Sequence, residues 1–221
     1  MLLKSNQYDE NTIREYRYWL CMSLARNKDR RFEKEVQYFY ESADYYFLKG
    51  FYWRLKKDLR KAEEFLGEAL KLNSNHQRTK REIVNVYIMN GNYQEGLTLA
   101  KENFMRKKTN PFHIQAYFIC LLHNNEQNVE SVQEELYMLL DLIQKSLDKK
   151  AKSMYTTMLG EYIYYVQNNP LKAIEVLENS VNKYGNVFAF KALGEIYKKE
   201  GLKDKYHALK ADMTKRDLEQ Y

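Results

Sequence analysis

Gly50, Trp53, Leu59 and Ala62 recur 34 positions later as Val84, Tyr87, Tyr93 and Gly96, and Leu159-Gly160 recurs at the same interval as Leu193-Gly194, the latter followed by Tyr197 and Gly201. This period restricts the fold more than any other feature of the chain. A unit of about 34 residues with small and aromatic residues at marked positions is a helical hairpin, too small to bury its own apolar surface, so it stacks on its neighbours. Two antiparallel helices approach closely only where one side chain is tiny, which is the place of Gly50, Ala62 and Gly96. The aromatics at 53, 87 and 197 fill the wedge between hairpins. Asn90-Gly91-Asn92 and Glu200-Gly201 supply turns, since glycine tolerates the left-handed conformation that ends a helix.

Composition agrees with an all-α chain: among 221 residues there are only two prolines and eight glycines, and the twenty tyrosines serve thin cores as large apolar bodies with wet hydroxyls. The pattern predicts helices at about 9–27, 31–41, 43–56, 59–72, 77–90, 93–107, 111–123, 128–148, 151–167, 170–183, 187–200 and 203–219. Whether 31–56 forms one helix or two is left open, because YESADYYF contains no breaker. Residues 1–42 form an atypical capping pair, and the polar last helix, 203–221, caps the other end.

These residues resemble the tetratricopeptide repeat (TPR) family. Gly50, Trp53, Leu59, Ala62, Leu66 and Ala69 carry the likeness in one repeat, and Tyr87, Gly91, Tyr93, Gly96 and Ala100 carry it in the next. Leu159, Gly160 and Ala173 mark a fourth repeat, and Leu193, Gly194, Tyr197 and Gly201 a fifth. The resemblance spans residues 43–202 and implies a right-handed α-solenoid, a superhelix of about five hairpins. It departs at Ser74, where the family commonly has proline, and between Gly160 and Ala173, where one residue is extra. It departs again in the middle repeat, since Gly50 and Gly160 lie three periods plus eight residues apart. That insertion falls in 124–148, as a polar loop and a longer second helix.

No catalytic or phosphate-cradling motif is present, so a non-catalytic chain without cofactor or metal is expected. His113, Cys120 and His123 share one helix. A metal would need more ligands than this trio supplies, and ordinary packing accounts for it. Cys21 and Cys120 have no CxxC partner, and the opening MLLKSNQYDEN lacks the apolar core of a signal peptide. The longest apolar run, AYFICLL, is far short of a membrane span. A soluble cytoplasmic protein is expected.

The resemblance places partner contacts on the first helix of each hairpin, facing a concave groove. Residue by residue these are Phe47, Phe51 and Arg54; Arg78, Arg81 and Asn85; Gln115 and Ile119; Tyr164 and Tyr165; and Lys191, Glu195 and Lys198. Arg81-x3-Asn85 resembles half of a carboxylate clamp for acidic C-terminal peptides, although the matching positions Phe47, Phe51 and Ala116 leave it incomplete. A plain solvated arginine is the simpler account. Six aromatics between Tyr45 and Trp53 exceed what one helix needs. They either bury against the N-terminal helices or form an apolar anchor pocket beside Arg81 and Asn85.

The net charge is +6, and RNKDRR, RLKKDLRK and Arg78 with KRE form a broken basic stripe. Asp29, Glu33, Glu35, Asp58, Glu63 and Glu64 interrupt it, which favours helix-surface ion pairing over a nucleic-acid footprint. The expected function is therefore an interaction module, an adaptor, scaffold or sensor subunit that binds a protein or peptide. A nucleic-acid-associated accessory subunit is the alternative, and a self-associating homo-oligomeric scaffold is a third class. A further resemblance, to repeat domains of bacterial peptide-sensing regulators and to repeat sensors of bacterial NTPases and defence proteins, implies a bacterial multi-component system.

Overall fold

Short polar side chains set where half of the helices begin. Asp9, Ser42, Asp58, Asn110, Asn169 and Asn186 each accept a hydrogen bond from a backbone N–H of the first turn that follows, satisfying one of the donors that a helix start leaves without a partner. The computed structural model describes residues 9–148 and 150–216. Among them are twelve α-helices and no strand: α1 (Glu10–Arg26), α2 (Phe32–Glu35), α3 (Ala43–Leu55), α4 (Leu59–Leu72), α5 (Gln77–Asn90), α6 (Tyr93–Arg106), α7 (Pro111–Asn124), α8 (Gln133–Gln144), α9 (Ala151–Tyr165), α10 (Pro170–Tyr184), α11 (Val187–Lys199) and α12 (Lys203–Lys215).

The question left open at 31–56 is answered by two breaks. The helix expected at 31–41 is only the four residues of α2, continued by a 3-10 segment, Val36–Phe39. Glu41 then takes a left-handed φ of 59°, and Ser42 caps α3 by accepting from the Tyr45 amide at 3.2 Å. The long helix expected at 128–148 is also corrected. Glu126–Val132 is 3-10 and is kinked at Asn128, and the α-helix begins at Gln133 and ends at Gln144. Its polar residues draw on backbone carbonyls that a helix would use: Asn125 Nδ2 donates to Leu121 O at 2.7 Å, and Ser131 Oγ to Asn128 O at 2.8 Å. The end of the helix expected at 203–219 lies outside the described residues.

The chain divides into two compact units, residues 1–90 and 91–221. In the first, α3 and α4 form a hairpin, α5 lies against both, and α1 packs on α3. The close approach depends on Gly50, where a Cβ would sit 2.6 Å from Leu66 Cγ. Ala62, Leu66 and Ala69 of α4 are fully buried at helical spacing. The second expected repeat is split, because α5 belongs to this unit and α6 to the other.

In the second unit α6 packs on α7, α7 on α8 and α9, α9 on α10, and α11 seats against both α9 and α10 before pairing with α12. Gly160 repeats the role of Gly50, its missing Cβ lying 2.5 Å from Leu177 Cγ. Leu177, Ala173, Leu193 and Ile196 are buried together in the core of these last hairpins.

Candidate functional site

In the first unit the aromatics of α1 and α3 form one connected stack. Tyr18 lies parallel to Phe47 at 6.2 Å, and Phe47 to Phe51 at 6.2 Å. Phe47 is 2% exposed and Phe51 6%. Of the two outcomes open for this cluster, burial against the N-terminal helices is the one observed for this pair. The surface that remains belongs to α1 instead, where Trp19 is 48% exposed.

Arginines lie over this stack. The Arg78 guanidinium sits 4.3 Å from the Tyr18 ring centre and 5.4 Å from that of Trp19. Arg26 and Arg54 flank Phe51 at 5.6 and 5.3 Å. They differ in their charge partners. Arg54 forms a largely buried ion pair with Glu82, Arg14 is held by Asp44, and Arg17 by Glu35. No described carboxylate pairs with Arg26, Arg78 or Arg81. Arg78, Arg81 and Asn85 follow one another at helical spacing along one stripe of α5. The Tyr18 phenol is pushed up by burial, and the charges of Arg78 and Arg81 both oppose that shift, so both arginines act on the same hydroxyl. A guanidinium with its face on a ring still presents its N–H edge to a carboxylate. Asn85 is half-buried beside them.

The predicted site residues of the second unit do not share one surface role. Gln115 is buried, and its Nε2 has no hydrogen-bond partner. Tyr164 is half-buried and donates to Glu200 at 2.8 Å. Lys191 is largely withdrawn from water, which lowers its pKa against the opposing charge of Glu195.

Between these positions lies a buried network where the sequence alone suggests ordinary packing. His123 Nδ1 meets Glu126 Oε1 at 2.5 Å and Nε2 meets Glu161 Oε1 at 3.1 Å. Tyr93 stacks on the imidazole at 4.6 Å, and Tyr165 meets it edge-on at 5.3 Å. Lys199 donates to Glu126 at 2.7 Å and to the Tyr165 hydroxyl at 3.1 Å. Both ring nitrogens face carboxyl groups, an arrangement that an imidazolium satisfies with both of its N–H donors, although burial raises the Glu161 carboxyl. Burial opposes that charge, but the bonds to Glu126 and Glu161 prevail and hold the His123 pKa up at about 9. Glu126 is likewise pushed up by burial, yet its bonds to His123 and Lys199 bring it down to about 2. The network ties the start of α6 and the ends of α7, α9 and α11 into one arrangement. A signal was present in the sequence, since Glu126 stands three residues after His123, but Glu161 and Lys199 are remote.

Cys120 is fully buried on the same helix as His123. Burial pushes the Cys120 thiol up to about 12. No group of three His, Cys, Asp or Glu residues among those described is placed to hold a metal ion. Within the basic stretches, Arg31, Arg54 and Lys61 are ion-paired, with Asp29, Glu82 and Asp58, whereas Arg26, Arg78 and Arg81 are not paired with any described carboxylate.

Stacked helical hairpins with tiny residues at the crossings define a helical-repeat protein. Comparison with solved structures gives the class a name: the chain has a TPR-like repeat fold. It is similar to the crystal structure of a thermophilic TPR protein from Thermus thermophilus, with a TM-score of 0.56 and 16% identical residues, over 81% of this chain and 95% of that one. No protein-family model matches the chain, and no curated protein matches it. No described helix is long and apolar enough to cross a membrane.

Proposed function

We propose that the chain is a non-catalytic protein-interaction module whose first unit holds an acidic segment of a partner protein against the face shared by α1, α3 and α5. The observation that supports this most is the unequal fate of the arginines. Those facing Asp44, Glu35 and Glu82 are neutralised locally, whereas Arg26, Arg78 and Arg81 have no acidic partner among the described residues around a ring stack edged by the exposed Trp19. A partner carboxylate there gains charge-assisted, edge-on hydrogen bonds above an apolar floor. Phe47 and Phe51 serve as that floor and not as direct anchors. Such a module fits an adaptor or sensor subunit in the bacterial multi-component systems that the sequence resemblance implied.

Peptide display against the purified chain tests this reading. Recovered binders rich in Asp and Glu with an aromatic or aliphatic neighbour, displaced by one another and not by a single-stranded oligonucleotide, support it. Binders without acidic bias, or displacement by the oligonucleotide, overturn it.

A further inference from the structure

A second surface lies in the other unit and depends on how hairpins of this fold are closed. The open side of the α9–α10 hairpin is filled by an amphipathic helix, α11, whose Leu193, Ile196 and Tyr197 are buried with Ile174, Leu177 and Val181. In the first unit α5 sits in the same way against α3 and α4. The last hairpin, α11–α12, has the equivalent side, and no described helix occupies it.

What stands there is a cleft of about 240 Å³ with Phe190, Gly194, Tyr206, Leu209 and Met213 along its floor. The hairpin crossing is wider here than at Gly50 or Gly160. A Cβ at Gly194 would find its nearest neighbour, Tyr206, at 3.6 Å, against 2.6 and 2.5 Å at Gly50 and Gly160. The rim is cationic, with Lys191, Lys198 and Lys210 against the single acid Glu195. Lys198 lies 4.7 Å over the Tyr206 ring, and neither Lys198 nor Lys210 pairs with a described carboxylate.

We propose that this cleft receives an amphipathic helix of a partner protein, one whose apolar stripe is bordered by Asp and Glu. The apolar floor takes the stripe as the α9–α10 hairpin takes α11, and the lysine rim selects the acidic border. A second copy docked cleft to cleft would set lysine rim against lysine rim, which disfavours that pairing.

The test uses the full chain and two synthetic helical peptides with the same Leu/Ala stripe, one bordered by Glu and one by Lys, read by fluorescence anisotropy. The Glu-bordered peptide is expected to bind about tenfold or more tighter than the Lys-bordered one. Lys198→Glu with Lys210→Glu, both at exposed positions, reverses that preference with an unchanged circular dichroism spectrum, and Met213→Glu removes binding of both. Arg78→Ala with Arg81→Ala leaves this binding intact, which separates it from the surface on the first unit. Equal affinity for the two peptides, or none for either, overturns the proposal. So does binding that appears only after deletion of residues 217–221, which would make that segment the occupant. Self-association abolished by Met213→Glu, seen by sedimentation, would give the cleft to a second copy and overturn it too.

Discussion

Nε2 of His123 donates its proton to Glu161 Oε1 at 3.1 Å, a bond between α7 and α9 that spans 38 positions of sequence. With Nδ1 committed to Glu126, a charged ring satisfies both carboxyl groups, against the burial that raises Glu161.

That requirement sets a pH dependence. His123 titrates near 9 in the folded chain against 6.5 as an ordinary imidazole, so the folded state binds the proton more tightly. Its contribution is complete below about pH 6.5 and disappears as the pH rises through 9, with a ceiling on the order of 3 kcal/mol. Glu126, lowered to about 2, acts at the opposite end, its contribution being lost only as the pH falls from 4.5 toward 2. Urea unfolding at pH 7 and pH 9.5 should show the wild type losing stability at the higher pH. His123→Gln should be less stable at pH 7 and nearly flat across the interval. Parallel losses in both proteins would show that His123 is not the titrating group.

The hairpin crossings predict a graded series. At Gly50 and Gly160 a methyl group collides with Leu66 and Leu177, so Ala at either position should cost about 1–3 kcal/mol. At Gly194 the same methyl meets only ordinary contacts, and the better helix propensity of alanine makes Gly194→Ala neutral or stabilising by up to about 1 kcal/mol. Thermal unfolding of the three variants decides it, and equal losses would contradict the packing described.

The helix-ending turns carry a related asymmetry. Lys57 has φ 64° and stands 34 residues before Gly91, which has φ 77°. The two positions share a backbone conformation, and only one has the residue suited to it. Lys57→Gly should therefore stabilise the chain by about 1 kcal/mol, whereas Gly91→Ala should destabilise it by a similar amount. Denaturant midpoints of the two variants check both signs.

Helix positions were legible because the information is local. Gly50, Leu66 and Ala69 declare a hairpin crossing by their spacing, and Asp58, Asn110 and Asn169 declare helix starts by their side chains. The break at Glu41 was not legible, since a left-handed glutamate has no sequence mark, and neither was the 3-10 winding after Asn124. The arginine face was half legible. Arg78, Arg81 and Asn85 stood at helical spacing, but which arginines keep their charge depends on Asp44, Glu35 and Glu82 arriving from other helices. Burial of Phe47 likewise depends on Tyr18, a long-range contact that no periodicity encodes. The His123 network went unseen for the same reason: separate helices deliver its members.

The proposed role of the first unit predicts an effect confined to binding. Arg78 and Arg81 lie on the exposed side of α5, so Arg78→Ala with Arg81→Ala should leave the unfolding free energy within about 1 kcal/mol of wild type. Asn85→Ala added to the pair should deepen any binding defect without further unfolding.

Calorimetric titration of an acidic peptide binder into wild type and the Arg78→Ala/Arg81→Ala variant is the most direct measurement. The account predicts a loss of affinity of about tenfold or more in the variant with its circular dichroism unchanged. Equal affinity for the two proteins would contradict it.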